Sequence, residues 1–367
     1  MERLLDNQEK IKQKDKADML SFCVNIQQHY TEAAKIAAEM KISYPTPSNV
    51  LIAGMGGSAI GGDLLKDWAK DKTPVPIEVN RDYHLPAYAN EKTLVLVTSY
   101  SGDTEESLSC FLDALKQRCM IFCVSSGGAL LEHAQRLKVP FVRVPGGMPP
   151  RAALPYMFVP LLFCLEKLKL VKGASGELKE ALTVLGAIAK ENAPSKQSKD
   201  SLAKTLALDI EGFIPVVYGF GVYSSVARRF KQQFNENSKM VAKWEAFPEL
   251  DHNEIVGWEK AEDFADAHAV IFLRDKSELV EIHSRIETTK QLMQPSGIGM
   301  YEIYAQGESD LAKMLSLICI GDFVSVYLAI LRGIDPTPVA TINKLKNTLQ
   351  KIGIKEEILK ELGKIKP

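Results

Sequence analysis

Residues 50–58 have the sequence Val50-Leu51-Ile52-Ala53-Gly54-Met55-Gly56-Gly57-Ser58, in which an apolar run ends in a glycine-rich turn. The apolar run predicts a short buried β-strand, and the pattern after the turn predicts a helix. Glycines let the backbone approach a ligand without a Cβ in between, and free amides at a helix N-terminus bind anions. The stretch therefore predicts an α/β fold that binds a small phosphorylated ligand at the carboxyl end of the strand.

A second turn further along the chain has the same character. The strand-like run Thr93–Thr98 is followed by Ser99-Tyr100-Ser101-Gly102-Asp103-Thr104 and then by a helical pattern. In a parallel sheet the carboxyl ends of both strands lie at one edge, where ligands bind. Hydroxyl groups and helix dipoles at this edge would offer several hydrogen-bond donors to one anion. We call residues 54–58 and 99–104 together the phosphate cradle.

Two nucleotide-binding motifs are alternatives to this interpretation, and neither is favoured. Gly54-x-Gly56-x-x-Ala59 satisfies the dinucleotide fingerprint, and Glu78 lies near the position of an acid that binds a ribose hydroxyl. Ser58 and the hydroxyl-rich second turn would crowd a pyrophosphate with groups that it does not need, so a simple phosphate is favoured. A P-loop is excluded because neither turn supplies the lysine that this motif requires.

Composition and charge exclude several functional classes. The chain has 367 residues, enough for two domains, and its formal charge of −1 provides no field that would attract a nucleic acid. No apolar run approaches the ~18 residues of a membrane span, so no membrane contact is expected. The N-terminal residues lack the pattern of a signal peptide, so we expect a cytoplasmic protein. The six cysteines show no C-x-x-C spacing, so we expect reduced thiols and no zinc site.

Strand-like and helix-like segments alternate along the first half of the chain, which predicts βαβ units and parallel sheets. The strands disappear over residues 170–201, and the pattern starts again at Pro215-Val216-Val217-Tyr218-Gly219-Phe220-Gly221, which indicates a duplicated domain. We predict a helical leader over residues 1–42, a phosphate-binding domain over 43–172, a second domain over 173–335 and a helical tail over 336–367. The second copy has Arg274-Asp275-Lys276 in place of the second cradle turn, so only the first domain is expected to bind phosphate.

The phosphate cradle resembles that of the sugar isomerase (SIS) domain. Further segments narrow the resemblance, and in chain order they are Pro149-Pro150-Arg151-Ala152-Ala153-Leu154-Pro155, Phe234-Asn235-Glu236-Asn237-Ser238-Lys239, Pro248-Glu249-Leu250-Asp251-His252-Asn253-Glu254 and Ile342-x-x-Leu345-Lys346. Over about residues 50–350 the chain resembles the bifunctional phosphoglucose/phosphomannose isomerase family. The resemblance implies two tandem SIS domains, each an open parallel sheet flanked by helices, with helices at both ends of the chain.

The resemblance also implies an activity, the interconversion of glucose 6-phosphate, and of mannose 6-phosphate, with fructose 6-phosphate. This reaction moves a proton between C2 and C1 through a cis-enediolate, which requires a base, groups that open the sugar ring and a cation for the enediolate. By resemblance Glu236 is the base and Arg151 stabilises the enediolate, while His252 and Lys346 open the ring. The implied phosphate ligands are Gly57, Ser58, Ser99, Ser101 and Thr104.

The implied reaction also bears on cofactors and partners. Proton transfer between adjacent carbons requires no metal ion and no organic cofactor. The expected partner is a small sugar phosphate. The implied site residues come from both predicted domains and the tail, so we expect the site to lie between the domains. The resemblance further implies a homodimer in which His252 reaches the site of the partner.

Two other functions stay open on the residues alone. SIS modules also serve as sugar-phosphate sensors attached to DNA-binding helices, but this leader is short, mixed in charge and without a basic recognition stripe. A ketol isomerase that acts on another sugar phosphate would use the same chemistry. One departure concerns the substrate: relatives can carry a threonine seven positions before the tail lysine, where this chain has Val339. That departure bears on mannose 6-phosphate more than on glucose 6-phosphate.

Overall fold

The structure, a computed structural model, describes residues 4–366. The chain forms two compact units. We call the one made of Gln28–Gly176 and the residues from Val339 onward the cradle unit. The other, which we call the second unit, consists of the residues up to Gln27 together with Glu177–Pro338. The four-part division predicted from the sequence stays a prediction.

Strands and helices alternate as the sequence pattern indicates. In chain order the strands are β1 (Asn49–Ala53), β2 (Ile77–Asn80), β3 (Thr93–Thr98), β4 (Met120–Ser125), β5 (Phe141–Arg143), β6 (Ile214–Phe220), β7 (Lys243–Phe247), β8 (His268–Arg274) and β9 (Gly299–Tyr304). The α-helices are α1 (Gln8–Lys14), α2 (Met19–Val24), α3 (Ile26–Ala38), α4 (Gly56–Ala69), α5 (Glu105–Lys116), α6 (Gly128–Arg136), α7 (Leu154–Lys167), α8 (Ala174–Glu191), α9 (Leu202–Asp209), α10 (Ser224–Glu236), α11 (Val280–Met293), α12 (Asp310–Leu331), α13 (Ala340–Leu349) and α14 (Ile354–Lys364). Short 3-10 helices cover Leu4–Asp6, Ser198–Asp200, Gly221–Tyr223, Glu249–His252, Glu254–Trp258, Ala261–Asp263, Ala265–Ala267, Gln294–Ser296 and Gln350–Ile352.

The cradle unit contains a parallel sheet with the strand order β2-β1-β3-β4-β5. Every residue of β3 and β4 is buried, as expected for strands whose two faces are both covered by helices. β1 and β3 are neighbours, and Ala53 pairs with Val97, so both strands end at the same edge of the sheet. The two cradle turns therefore start side by side, and the predicted α/β fold is confirmed.

The last helix, α14, belongs to the core of the cradle unit. Ile358 and Leu362 pack in one hydrophobic cluster with Leu108 of α5. The guanidinium of Arg136 donates hydrogen bonds to the carbonyls of Leu362 (2.7 Å) and Ile365 (2.8 Å), which caps the end of α14. By contrast, no residue of α13 is buried.

The second unit contains a parallel sheet with the order β7-β6-β8-β9. Its central strands β6 and β8 are buried over almost their whole length, and α10 packs on β6 and β7. The longest helix, α12, packs against α9 and α10. Two open parallel sheets with flanking helices agree with the fold class predicted from the sequence.

One expectation about the sequence was wrong. Helix α12 is long and apolar enough to cross a membrane by length and composition, although no such run was expected. In the structure, 94% of its most apolar window is buried inside the protein. A helix that is apolar all round is also the pattern of a core helix, and α12 has that role here.

The side chain of Lys204 on α9 is fully buried and bonds to three backbone carbonyls. Its ammonium donates to the carbonyls of Leu5 (2.6 Å), Pro194 (2.9 Å) and Lys196 (2.5 Å). Burial lowers the pKa of Lys204 to about 8, so the amine is still mostly protonated at neutral pH. The three acceptors match the three donors of an ammonium, and this contact joins the N-terminal segment to the rest of the second unit.

We expect Lys204→Met to lower the free energy of unfolding by about 3 kcal/mol or more, because three carbonyls lose a charged donor. Chemical denaturation at fixed protein concentration measures this change. The matched control is Lys199→Met at an exposed position of the same segment, which should change stability by no more than about 0.5 kcal/mol. Equal stability of the two variants would show that the buried ammonium contributes nothing.

Candidate functional site

The first cradle turn joins β1 directly to α4. Gly56 begins the helix with φ +51°, a conformation that favours glycine. A Cβ on Gly54 would lie 2.3 Å from Oγ1 of Thr98 at the end of β3, so only glycine allows the two strand ends to approach this closely. The hydroxyl of Ser58 is buried and accepts a hydrogen bond from the amide of Tyr100 (3.1 Å), which links the two cradle turns.

The second cradle turn is held by its own hydroxyl groups. Ser99 Oγ lies 2.9 Å from Thr104 Oγ1 and accepts a hydrogen bond from the amide of Gly102 (3.0 Å). Ser99 is 1% exposed, whereas Ser101 is exposed and its Oγ accepts from the amide of Asp103 (3.2 Å). Thr104 is the N-cap residue of α5, but its side chain makes no capping hydrogen bond. The structure thus brings the predicted phosphate ligands together at the N-termini of α4 and α5, where amides favour an anion.

A third loop, after β4, supports the cradle and was not predicted. Ser126 Oγ donates a hydrogen bond to the carbonyl of Tyr100 (2.7 Å), and the amide of Ser126 donates to the same oxygen (3.0 Å). Gly102 has φ +76°, and a Cβ there would lie 1.8 Å from the carbonyl oxygen of Gly127. The adjacent serines Ser125 and Ser126 were the available sequence signal, because they follow a buried run just as Ser99 does.

The loop that carries Arg151 packs against the first cradle turn. A Cβ on Gly57 would lie 3.0 Å from the carbonyl oxygen of Pro150 and 3.4 Å from Cα of Arg151. The hydroxyl of Tyr100 donates to the carbonyl of Pro145 (3.0 Å) and accepts from the amide of Met148 (3.0 Å), and burial raises its pKa. Arg151 itself is 2% exposed, so the loop that packs on the cradle carries a buried cation.

The tail lysine belongs to the cradle unit but is not packed into it. Lys346 is exposed on α13, and its side chain makes no hydrogen bond or ion pair among the described residues of the cradle unit. Val339, the residue that departs from the pattern of relatives, is the N-cap residue of α13. Lys355 of α14 forms an ion pair with Asp103 of the second cradle turn (2.8 Å), which fixes the start of the next helix to the cradle.

Glu236 is the last residue of α10 in the second unit and is half-buried. Its neighbours on the C-terminal side bond to α12: Asn237 Nδ2 donates to Ser325 Oγ (2.9 Å) and Ser238 Oγ donates to the carbonyl of Ser325 (2.7 Å). Both neighbours are fully buried. These contacts fix the backbone at Glu236 independently of its carboxylate.

The preceding turns of α10 are fixed to α12 by a buried ion pair. Arg229 donates to Oδ2 of Asp322 (2.8 Å), and the side-chain amide of Gln233 donates to Oδ1 of the same carboxylate (2.8 Å). Both residues lie on the face of α10 that is buried against α12. Glu236 therefore ends a helix that is held along its length.

His252 ends the 3-10 helix Glu249–His252 after β7 and is exposed. Among the described residues of its own unit, its ring has no hydrogen-bond partner. Asp251 and Asn253, on either side, are both bonded to neighbouring side chains. The structure thus places Glu236 and His252 in the second unit, and the cradle, Arg151 and Lys346 in the cradle unit.

In the second unit the edge that corresponds to the cradle is filled by charged side chains. Tyr223 follows β6 where Ser58 follows β1, and its hydroxyl donates to Asp275 (2.7 Å). The guanidinium of Arg274, 1% exposed, bonds to the carboxylates of Glu278, Glu287 and Glu302. That phosphate binds only in the first domain stays a prediction, and this network is consistent with it.

Within residues 4–366, apart from the side chain of Asp263, no cluster of three or more histidine, cysteine, aspartate or glutamate side chains is suited to a metal ion. The six cysteines form no disulfide in that part of the chain, and burial raises the pKa of Cys110 to about 12.

Known proteins resemble this chain in sequence and in fold. Residues 199–349 match the family described as the bacterial phospho-glucose isomerase C-terminal SIS domain. The crystal structure of a hypothetical protein from Thermus thermophilus has a TM-score of 0.72 with 15% identity, covering 94% of this chain and 92% of that one, which supports the fold.

Two curated relatives are similar along nearly the whole chain. The bifunctional phosphoglucose/phosphomannose isomerase of Caldicellulosiruptor bescii is 39% identical over 91% of this chain and 99% of that protein. The protein of the same name from Aquifex aeolicus is 35% identical over 82% of this chain and 90% of its own length. The identity to these relatives shows that the chain belongs to the bifunctional phosphoglucose/phosphomannose isomerase family, and the geometry of its phosphate cradle agrees with this.

Proposed function

We propose that this protein interconverts glucose 6-phosphate with fructose 6-phosphate and, as a second activity, mannose 6-phosphate with fructose 6-phosphate. Membership of the family supports the reaction class. The single observation that carries the proposal is the packing of the Arg151 loop on the first cradle turn. The carbonyl oxygen of Pro150 lies 3.0 Å from the position that a Cβ on Gly57 would occupy. A phosphate site with a buried arginine on the loop packed against it suits a phosphorylated substrate whose oxygens become negatively charged during the reaction.

In the proposed mechanism the phosphate binds first, at the cradle. The ligands are the amide of Gly57 and the hydroxyls of Ser58, Ser99, Ser101 and Thr104. Phosphate binding fixes the far end of the sugar, so that its C1 and C2 reach the proton-transfer groups in a defined orientation. Ser58 links the two turns and Ser99 holds the second turn together, so they keep the cradle in shape before the substrate arrives.

Ring opening and proton transfer then follow. His252 and Lys346 move a proton between the ring oxygen and the anomeric hydroxyl, which opens the ring. Glu236 removes the proton from C2 of the aldose and returns it to C1, while the guanidinium of Arg151 stabilises the charge on the enediolate oxygens. The proton that leaves C2 is returned to C1, and a second proton passes from the C2 hydroxyl to the C1 oxygen, so the reaction is balanced without a metal ion or an organic cofactor.

We further propose a cytoplasmic homodimer in which His252 of one protomer enters the site of the other. An exposed imidazole on a fixed segment, without a partner among the described residues of its own unit, suits such a contribution. In a dimer of this kind, dilution below the dissociation constant should abolish activity. A fully active monomer would remove this part of the proposal.

The test is a coupled assay of protein treated with a chelator, with fructose 6-phosphate as the substrate and separate detection of glucose 6-phosphate and mannose 6-phosphate. Formation of both products supports the bifunctional activity. Glucose 6-phosphate alone would point to Val339 as a specificity change. Tight fructose 6-phosphate binding without either product would instead favour a sugar-phosphate sensor. The Glu236→Gln variant, purified in the same way, controls for contaminating isomerase from the expression host.

A further inference from the structure

The segment that carries His252 is held by nearly all of its polar side chains except His252. Asp251, immediately before it, accepts a hydrogen bond from Arg285 Nη1 at Oδ2 (2.8 Å) and another from Thr289 Oγ1 at Oδ1 (3.1 Å). Both carboxylate oxygens are thus occupied by donors from one helix, α11. We call Asp251, Arg285 and Thr289 together the Asp251 clamp.

The residues after His252 are fixed as well. Asn253 Nδ2 donates to Glu249 Oε1 (2.8 Å), which closes the 3-10 turn on itself. Glu254 Oε1 accepts from the hydroxyl of Tyr218 on β6 (2.8 Å), and its other oxygen pairs with Lys243 on β7. The exposed imidazole therefore projects from a backbone that is fastened on both sides to the sheet and to α11.

Helix α11 is itself fixed to the core. Ile286 and Met293 are fully buried, and Lys290 forms ion pairs with Glu287 (3.2 Å) and Glu302 of β9 (2.9 Å). Arg285 and Thr289 lie four residues apart, so they occupy one face of this helix. The donors of the Asp251 clamp are therefore held at fixed positions, and they determine where Asp251 lies.

We propose that Arg285 and Thr289 are positioning residues that act through Asp251 to orient the imidazole of His252 for proton transfer. The inference rests on the proposed function, because it needs His252 to act on the substrate. Proton transfer requires heavy atoms within hydrogen-bond distance, so a small rotation of the 3-10 turn would move the ring out of reach. Arg285 also neutralises the carboxylate of Asp251, next to His252. The Asp251 clamp therefore fixes both the position of the imidazole and the charge around it.

The experiment measures kcat and KM of purified full-length variants with fructose 6-phosphate, together with their melting temperatures. Arg285→Gln removes the charged guanidinium and shortens a side chain that is 41% exposed, so no cavity is left. Thr289→Val removes the other donor without changing the volume of the residue, and Thr289→Ser keeps the hydroxyl. We expect Arg285→Gln and Thr289→Val to lower kcat by about 10- to 100-fold with little change in KM, and Thr289→Ser to restore most of it.

The control that separates positioning from helix stability is Lys290→Gln. Lys290 lies on α11 and bonds to Glu287 and Glu302, but it does not belong to the Asp251 clamp. We expect Lys290→Gln to lower the melting temperature without lowering kcat. A comparable loss of kcat in Lys290→Gln would overturn the proposal, because any disturbance of the helix would then be enough.

A double-mutant cycle decides whether the clamp acts through His252. In the His252→Ala background, Arg285→Gln should cause no further loss of kcat. The same fold-loss in both backgrounds, or unchanged kcat in Arg285→Gln, would overturn the positioning role. Full activity of His252→Ala alone would contradict the proposed role of His252 in the reaction. That result can be told apart from the two results that would overturn only the positioning role of Arg285. If Thr289→Val does not fold, Arg285→Gln decides the question.

Discussion

Replacing Glu236 by glutamine is expected to lower kcat by about 10²- to 10⁴-fold, the contribution typical of a general base. Glutamine has nearly the same shape but cannot accept the proton from C2. The fold should be unaffected, because Asn237 and Ser238 fix the end of α10 through Ser325. The coupled assay measures kcat, and incorporation of deuterium from solvent into the sugar reports proton abstraction directly.

The control for this variant is Glu211→Gln, which changes an exposed carboxylate in the same unit that lies outside every motif segment named above. It should leave kcat unchanged. Near-normal turnover of Glu236→Gln would remove this residue from the role of base. Lost turnover with continued exchange of the C2 proton would also contradict the proposal, because another group would then be abstracting the proton.

Replacing Arg151 by methionine is expected to lower kcat by about 10²- to 10³-fold, the effect typical of removing one charge-stabilising donor from a site. Methionine is flexible and fills most of the space of a side chain that is 2% exposed, so a large cavity is avoided. Arg151→Lys keeps the charge but loses the planar pair of donors, so its kcat should fall between those of the unchanged protein and Arg151→Met. The measurement is kcat together with the affinity for an enediolate analogue.

Measuring both kcat and the affinity for the analogue separates transition-state stabilisation from substrate binding. The affinity of the analogue should fall in parallel with kcat, whereas KM for fructose 6-phosphate should change far less, because the cradle still binds the phosphate. A variant with raised KM and normal kcat would show instead that Arg151 serves the cradle. Melting temperatures identify any loss that is due to unfolding.

The fold could be predicted where strands and helices give a continuous apolar signal. Strand β3 has the predicted bounds Thr93–Thr98, and β1 begins and ends within one residue of the predicted run. The strand Lys243–Phe247 was not predicted, because it lies at the edge of its sheet and only its last residue is buried. Its alternating charged and apolar residues give no pattern of a buried strand.

The site could be predicted where its groups are contiguous in the chain. Both cradle turns are short segments, so their chemistry is visible in the sequence. The packing of Gly57 against Pro150 depends on backbone distances that no motif contains. The Asp251 clamp joins residues 34 and 38 positions apart, and α11 carries no signal that its donors face Asp251. The roles of Glu236, His252, Lys346 and Arg151 stay predictions until the variants are measured.

The position of α14 has a consequence for biosynthesis. The chain passes from one unit to the other at three places, and the cradle unit draws its last core residues, Ile358 and Leu362, from near the end of the chain. While the protein is being translated, α5 therefore lacks part of its packing until those residues leave the ribosome. A nascent chain stalled before them would expose the apolar face of α5 to chaperones and proteases.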